Sequence, residues 1–238
     1  MPEYPFPARI AQPGGPARRP TLPARARLGL MATSASNTSP AERKDEIRRE
    51  LRARREDLPA EERGRLDNAI VSFLAARLRA LPGTPRLIAA YSPLATEPGG
   101  PALLDVLQGE TAQVLLPITG ANGKLSWAPY RGAGRMRSGR FDIAEPDPKE
   151  ARGNEALAEC ELIVVPTLGL TPDGYRLGKG GGFYDRALAE LDALDGPRPE
   201  VVALAYDWEV RSDIPTEDHD LPVDAYATQS GFTLLDEE

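Results

Sequence analysis

Between residues 39 and 83 the apolar positions recur every three to four residues. Ile47 and Leu51 mark one stripe; Leu66, Ile70, Phe73, Leu74, Leu78 and Leu81 mark another. This period predicts two amphipathic helices, one ending near Asp57 and one over roughly 60–81. Ser39-Pro40-Ala41-Glu42 opens the first, with Ser39 as N-cap, Pro40 as first helical residue and Glu42 as the partner in a capping box. Pro82-Gly83 stops the second. The period then changes. Leu87–Tyr91, Val114–Ile118, Leu162–Val165 and Val201–Ala205 are short, almost wholly apolar runs, as in strands of a sheet covered on both faces. Helical patterns near 101–108, 153–159 and 182–194 alternate with them. Asn122-Gly123 marks a hairpin turn before Leu125–Tyr130, and Pro172-Asp173-Gly174 marks another turn. The alternation predicts a single α/β domain of three layers with a mostly parallel sheet.

Residues 1–38 have a different composition. They hold seven prolines, five arginines and one acid, Glu3, a charge of about +4. They lack the apolar segment of a secretory signal, and their prolines would break the amphipathic helix of a transit peptide. They are expected to be a disordered extension without a catalytic role, ahead of a catalytic domain at 39–238. Met31 offers an alternative start.

The formal charge of −7 leaves about −11 on the remainder, which argues against a nucleic-acid partner. No apolar run reaches the ~18–20 residues that cross a bilayer. One cysteine, Cys160, forbids an internal disulfide and fits a cytoplasmic setting. With one histidine, His219, a metal here must be a hard cation held by oxygens.

The densest chemistry lies in Arg176-Leu177-Gly178-Lys179-Gly180-Gly181-Gly182-Phe183-Tyr184-Asp185-Arg186, which follows a strand and a turn and opens into a helix. Glycines let a backbone approach a ligand and aim successive N–H groups at it. The helix N-terminus and the cations Arg176 and Lys179 favour an anion. The segment reads as a phosphate cradle, although it matches neither a Walker A loop nor a dinucleotide fingerprint. The plain alternative is a flexible strand-to-helix turn.

Together with Val165-Pro166, Pro172-Asp173-Gly174, a basic first helix, Tyr91 leading to Glu97, and Asp220-Leu221-Pro222-Val223-Asp224, this segment resembles the signature of the 5-formyltetrahydrofolate cyclo-ligases, from about Glu42 to Phe232. The resemblance implies a sugar-phosphate isomerase/CoA-transferase-like fold. It also implies conversion of 5-formyltetrahydrofolate and ATP to 5,10-methenyltetrahydrofolate, ADP and phosphate, with Mg²⁺ as cofactor. It assigns ATP to Lys44, Asp45, Glu46, Ile47 and Arg48, and to the run Arg176, Leu177, Gly178, Lys179, Gly180, Gly181, Gly182, Phe183 and Tyr184. Arg176 and Lys179 are the catalytic charges. Glu97, Tyr184 and Trp127, with Tyr130 beside it, face the folate; Asp185 and Asp220 hold Mg²⁺. Gly181 stands where some members carry lysine, which makes Lys179 the main γ-phosphate contact. Glu97 continues into Pro98-Gly99-Gly100, a departure from the usual pattern.

Lys44 and Arg48, four residues apart, fall on the rim of the Ile47/Leu51 stripe, whereas Arg49, Arg52, Arg54 and Arg55 are expected on a solvated face, with pairs such as Glu50–Arg54. A monomer is expected. Two rivals stand beside the enzyme: a paralogue that binds without turnover, and a sugar-phosphate isomerase of the same fold.

Overall fold

The computed structural model describes residues 39–83, 87–194, 196–217 and 220–235; residues 1–38, Asp218 and His219 lie outside them. The described residues form one compact unit. Its helices are α1 (Pro40–Asp57), α2 (Ala60–Ala80), α3 (Ala102–Glu110) and α4 (Phe183–Asp192). Its strands are β1 (Leu87–Ala89), β2 (Gln113–Thr119), β3 (Leu125–Pro129), β4 (Arg137–Ser138), β5 (Ala144–Glu145), β6 (Leu162–Pro166), β7 (Gly169–Leu170), β8 (Arg176–Leu177), β9 (Glu200–Leu204), β10 (Ala225–Thr228) and β11 (Gly231–Leu234).

Seven strands make one sheet in the order β11-β10-β9-β6-β1-β2-β3. The inner five are parallel, and β3 and β11 are antiparallel edges. The period-2 alternation of buried strands divides their side chains between two cores. Leu162 and Val164 join Ile70, Leu74, Leu78, Leu103 and Leu107 of α2 and α3 on one face. Ile163 and Val165 join Leu188 and Leu191 of α4 and Leu157 on the other. Helices on both faces are why these strands lack polar positions.

From β1 the chain steps to β2 on one side, whereas β6 and β9 are added on the other. The order reverses between β1 and β6, and the carboxyl ends of strands at such a switch flank a crevice. Glu97 follows β1, and the glycine segment follows β6 by way of the β7–β8 hairpin. Both candidate loops therefore stand at this crevice by topology alone.

Several expected elements change form. The helix near 153–159 is a run of 3₁₀ turns, Asn154–Glu159. The β2–β3 hairpin exists, but its connection is five residues with one 3₁₀ turn at Ala121–Gly123 rather than a two-residue turn. The β10–β11 hairpin was not legible, because its short, Ala-, Thr- and Gly-containing strands carry little apolar alternation.

The first helix docks differently from its expected solvated cations. Ile47 and Leu51 pack with Leu168, Leu177 and Ile214 in a third core. Arg55, on the same i, i+4, i+8 row, is buried with them. Its guanidinium donates to Glu209 from Nε (2.6 Å) and Nη2 (2.8 Å), and to the Thr167 carbonyl at 2.7 Å. Glu209 is fully buried and also accepts from the Tyr206 N–H at 3.0 Å. Burial pushes its carboxyl up, against the pull of Arg55. Arg54 lies over the Trp208 ring at 4.6 Å, and Glu50 pairs with Arg211 at 2.6 Å, so the expected Glu50–Arg54 pair is replaced.

Glu209→Ala strands a buried guanidinium and is expected to cost about 3–5 kcal/mol in urea denaturation. The double replacement Arg55→Met/Glu209→Leu is expected to cost much less. A loss under about 1 kcal/mol for the single variant would show that the pair does not anchor the helix.

Candidate functional site

The glycine segment leaves β8 and reaches α4 through five residues whose geometry requires glycine at two points. Gly180 has φ +99° and Gly182 has φ +63°, the left-handed region where a side chain is strained. Among the described residues the N–H groups of residues 178–182 donate to no other group of the chain. Gly182 is the N-cap of α4 and has no side chain to cap it, so the first-turn donors of the helix are uncapped as well. This row of unmatched donors at a helix N-terminus suits a polyanion.

Helix α1 fixes that loop from below. Arg48 Nε donates to the Gly178 carbonyl at 2.9 Å, and Arg52 Nη2 donates to the Lys179 carbonyl at 3.1 Å. Across a trans peptide the C=O and the following N–H point opposite ways, so holding these two carbonyls turns the N–H groups of Lys179 and Gly180 away from α1. Arg52, exposed as expected, also joins Arg48 at the loop; 44, 48 and 52 share one i, i+4, i+8 row, the spacing that could have revealed this contact. Lys44 donates to Glu217 at 2.7 Å and Asp220 at 3.2 Å. Asp45 pairs with Arg48 and Glu46 with Arg43, both on the exposed side. Ile47 and Leu177 are core residues, fully enclosed beneath the loop.

On the opposite wall the Glu97 loop is built by backbone contacts. Glu97 Oε2 accepts from the Leu94 N–H at 2.8 Å, the Tyr91 hydroxyl donates to the Pro98 carbonyl, and Asp67 of α2 accepts from the Gly99 N–H at 3.1 Å. The same Asp67 accepts from the Tyr206 hydroxyl at 2.8 Å, and its burial pushes the carboxyl up. Gly100 (φ +51°) is pressed against this carboxylate: a Cβ there would come within 2.6 Å of it. The Pro-Gly-Gly continuation is therefore what lets the loop close over Asp67.

The two walls meet through charge. Lys179 Nζ lies 2.8 Å from Glu97 Oε1, and the Glu97 side chain is only 7% exposed. Arg176, almost wholly buried, holds Asp185 Oδ1 at 2.7 Å, and its Nε has no partner among the described residues. The Tyr184 hydroxyl is likewise shut from solvent and unpartnered. Burial, and then the nearby Glu97 charge, push that phenol well up, so it is a hydrogen-bond donor. Buried orphan donors are rare in native proteins and call for an explanation such as a ligand.

Trp127, expected beside the folate, is fully buried. Its indole donates to Asn154 at 2.8 Å, and it reaches the site only through the edge of its ring on Tyr184, 6.1 Å between centroids. Tyr130 lies in the α2/α3 core, away from that ring. Asp220 Oδ2, besides holding Lys44, accepts from the Glu217 N–H at 2.8 Å. Asp185 stands in the first turn of α4 and is 62% exposed. Among the described residues no three His, Cys, Asp or Glu side chains cluster around a metal position. Cys160 is buried, donates weakly to the Ala156 carbonyl, and has a thiol pushed up to about 12 by burial. It is no nucleophile at neutral pH.

The sequence profile of the 5-formyltetrahydrofolate cyclo-ligase family matches residues 40–229. The chain belongs to this family. A 5-formyltetrahydrofolate cyclo-ligase of Mycolicibacterium smegmatis is 38% identical over 141 residues, 57% of this chain and 70% of that protein. One of Haemophilus influenzae is 27% identical over 184 residues, 76% of this chain and 95% of its own. The solved 5,10-methenyltetrahydrofolate synthetase of Aquifex aeolicus superposes with a TM-score of 0.65 at 28% identity, covering 82% of this chain and 94% of that one. The cyclo-ligase is an ATP-dependent enzyme of folate one-carbon metabolism, and the isomerase alternative falls away.

Arg48→Ala frees the Gly178 carbonyl and removes a charge-assisted hydrogen bond worth about 1.5–3 kcal/mol, so KM for ATP is expected to rise roughly tenfold or more. Arg52→Ala, at the exposed end of the row, is expected to raise it two- to threefold. Initial rates at saturating folate check both. An unchanged KM in Arg48→Ala would show that the loop does not depend on α1.

Proposed function

We propose that the crevice between the glycine loop and the Glu97 loop binds ATP and 5-formyltetrahydrofolate side by side, for phosphoryl transfer onto the formyl oxygen. The observation that carries the proposal is the Lys179–Glu97 contact, which joins the phosphate cradle on one side of the crevice to a buried carboxylate on the other. A formamide carbon is a weak electrophile and its oxygen a poor leaving group. Transfer of the γ-phosphoryl to that oxygen releases ADP and makes the oxygen a phosphate ester. The folate N10 then attacks the formyl carbon, the C–O bond breaks, and phosphate departs with the N10 proton as the methenyl bridge closes. No protein nucleophile is needed, in keeping with the inert Cys160. The work left to the protein is positioning and charge stabilisation.

The unmatched N–H groups of residues 178–182, with Lys179 and Arg176, are suited to the β- and γ-phosphates as charge shifts between oxygens. Lys44 and Arg48 extend the positive rim, and Lys44 is kept in place by Asp220. Glu97 is suited to the N–H donors of the pterin, and the Tyr184 hydroxyl can donate to the formyl oxygen or the phosphate. Asp185, although Arg176 holds its Oδ1, is 62% exposed beside the cradle, and Mg²⁺ takes few protein carboxylates and fills its shell with water and phosphate oxygens. The donor set fits a Mg²⁺ held by Asp185, which when bound with ATP neutralises phosphate charge. Asp220, already engaged by Lys44 and the Glu217 N–H, fits better as the residue that positions Lys44 than as a second ligand. Trp127 supports Tyr184 from behind. A monomer in the cytoplasm agrees with the scattered exposed apolar residues, with the lone buried thiol, and with the lack of a membrane-length apolar helix among the described residues.

The test is the absorbance of the methenyl product on adding ATP, Mg²⁺ and 5-formyltetrahydrofolate, with ATP consumed only when the folate is present. Asp185→Asn is expected to raise the Mg²⁺ concentration for half-maximal rate severalfold, whereas Asp220→Asn raises KM for ATP with little change in Mg²⁺ dependence. Binding of both substrates without product would mean a silent paralogue. Equal Mg²⁺ shifts in the two variants would restore Asp220 as a ligand.

A further inference from the structure

Arg48 and Arg52 of α1 hold the first two carbonyls of the glycine loop, at Gly178 and Lys179. A third carbonyl, further along, is held from another element. Arg186 is the fourth residue of α4, and helical side chains lean back toward the N-terminus, so its guanidinium returns to the loop that precedes the helix. There Nη2 donates to the Gly181 carbonyl at 2.6 Å, and Nε donates to the Gly123 carbonyl at 3.1 Å. These two donors share one edge of a planar fork, so one exposed side chain ties the glycine loop to the turn between β2 and β3. Because C=O and the next N–H point opposite ways across a trans peptide, holding Gly181 turns the Gly182 N–H away from Arg186.

The β2–β3 turn is shaped to receive this group. Gly123 has φ +71°, and a Cβ added there would come within 1.9 Å of Arg186 Nη2. A left-handed turn position alone could be filled by asparagine or aspartate. The contact leaves room for neither. On the other side a Cβ at Gly182 would come within 2.7 Å of Arg186 Nη1. The guanidinium therefore fills a gap between two glycines from separate segments, with its carbon 5.7 Å from the centre of the Phe183 ring.

We propose that Arg186 is a positioning residue for ATP, clamping the end of the phosphate loop against the β2–β3 turn, with Gly123 as its seat. The proposal rests on the function given above. Arg186 acts through the backbone: with Arg48 and Arg52 it fixes three carbonyls of the loop, and so sets the direction of the N–H groups of residues 179, 180 and 182. The loop is thus held at both ends, by α1 where it leaves β8 and by Arg186 where it enters α4.

The experiment measures equilibrium binding of ATP with Mg²⁺, and separately of 5-formyltetrahydrofolate, to the full chain and four variants: Arg186→Ala, Arg186→Lys, Gly123→Ala, and the double variant Arg186→Ala/Gly123→Ala. Arg79→Ala, which removes an exposed arginine paired with Glu110, is the charge control. Two charge-assisted bonds of an exposed group are worth a factor of a few, so Arg186→Ala is expected to bind ATP about fivefold more weakly. Its affinity for the folate is unmoved. Arg186→Lys recovers little, since an ammonium cannot offer two parallel donors. Gly123→Ala keeps the arginine but denies it the seat, and loses ATP affinity to a similar extent. The double variant is no worse than Arg186→Ala, because both changes break one contact. ATP affinity in Arg186→Ala that matches the intact chain overturns the clamp and leaves the proposed function standing. So do full recovery in Arg186→Lys, additive losses in the double variant, or equal losses for both substrates. An intact chain that binds no ATP overturns the reading of the glycine loop itself, and the clamp with it.

Discussion

The seating of one helix against one hairpin governs the rest of the site. A loop with several glycines has too many accessible conformations to present a fixed row of donors unaided, because glycine loses the most entropy on ordering. Here α1 supplies the missing restraint. Its apolar row, Ile47 and Leu51, packs on Leu177 immediately before the loop, and its rim row, Arg48 and Arg52, grips the carbonyls of Gly178 and Lys179. Arg55 then locks the helix in register through a buried ion pair with Glu209 and the Thr167 carbonyl beside β7. Two parallel rows on one helix thus serve packing and loop geometry at once.

The charge arrangement explains how an acidic protein keeps a site for anions. Many of the described cations are matched by nearby carboxylates, which weakens the field at a distance. Within the crevice the matching is incomplete in a directed way. Among the described residues Arg176 Nε, the Tyr184 hydroxyl and the loop N–H groups lack partners, and Lys179 is held by Glu97 alone. A phosphate drawing on Lys179 leaves Glu97 as a buried carboxylate in need of a donor, and the pterin ring carries donors. The two substrates are therefore suited to bind better together than apart, by the same ledger of buried charge that makes isolated carboxylates costly.

The layers of the fold were readable because each rests on a local signal. The capping box at Ser39 and Glu42 forms as the spacing requires, and the apolar runs became the parallel strands. The glycine segment was legible for the same reason, since its residue types are those that a close backbone approach demands. What escaped were contacts between segments far apart in sequence. Glu209 carries no local mark of its role, and Arg55 was set among solvated cations although its position on the Ile47/Leu51 row pointed inward. Asp67 reads as one more helical acid, yet it holds Gly99 in place. Trp127 showed the opposite error: an aromatic near the site was expected at the folate, but its indole is satisfied by Asn154 inside the core.

Phosphoryl transfer to the formyl oxygen is the claim on which the assignment of both loops depends. Substrate labelled with ¹⁸O in the formyl group tests it directly, by mass analysis of the phosphate released in a single turnover. The account predicts one ¹⁸O atom in each phosphate, since the C–O bond breaks with the oxygen still on phosphorus. Label recovered in water, with unlabelled phosphate, would contradict it.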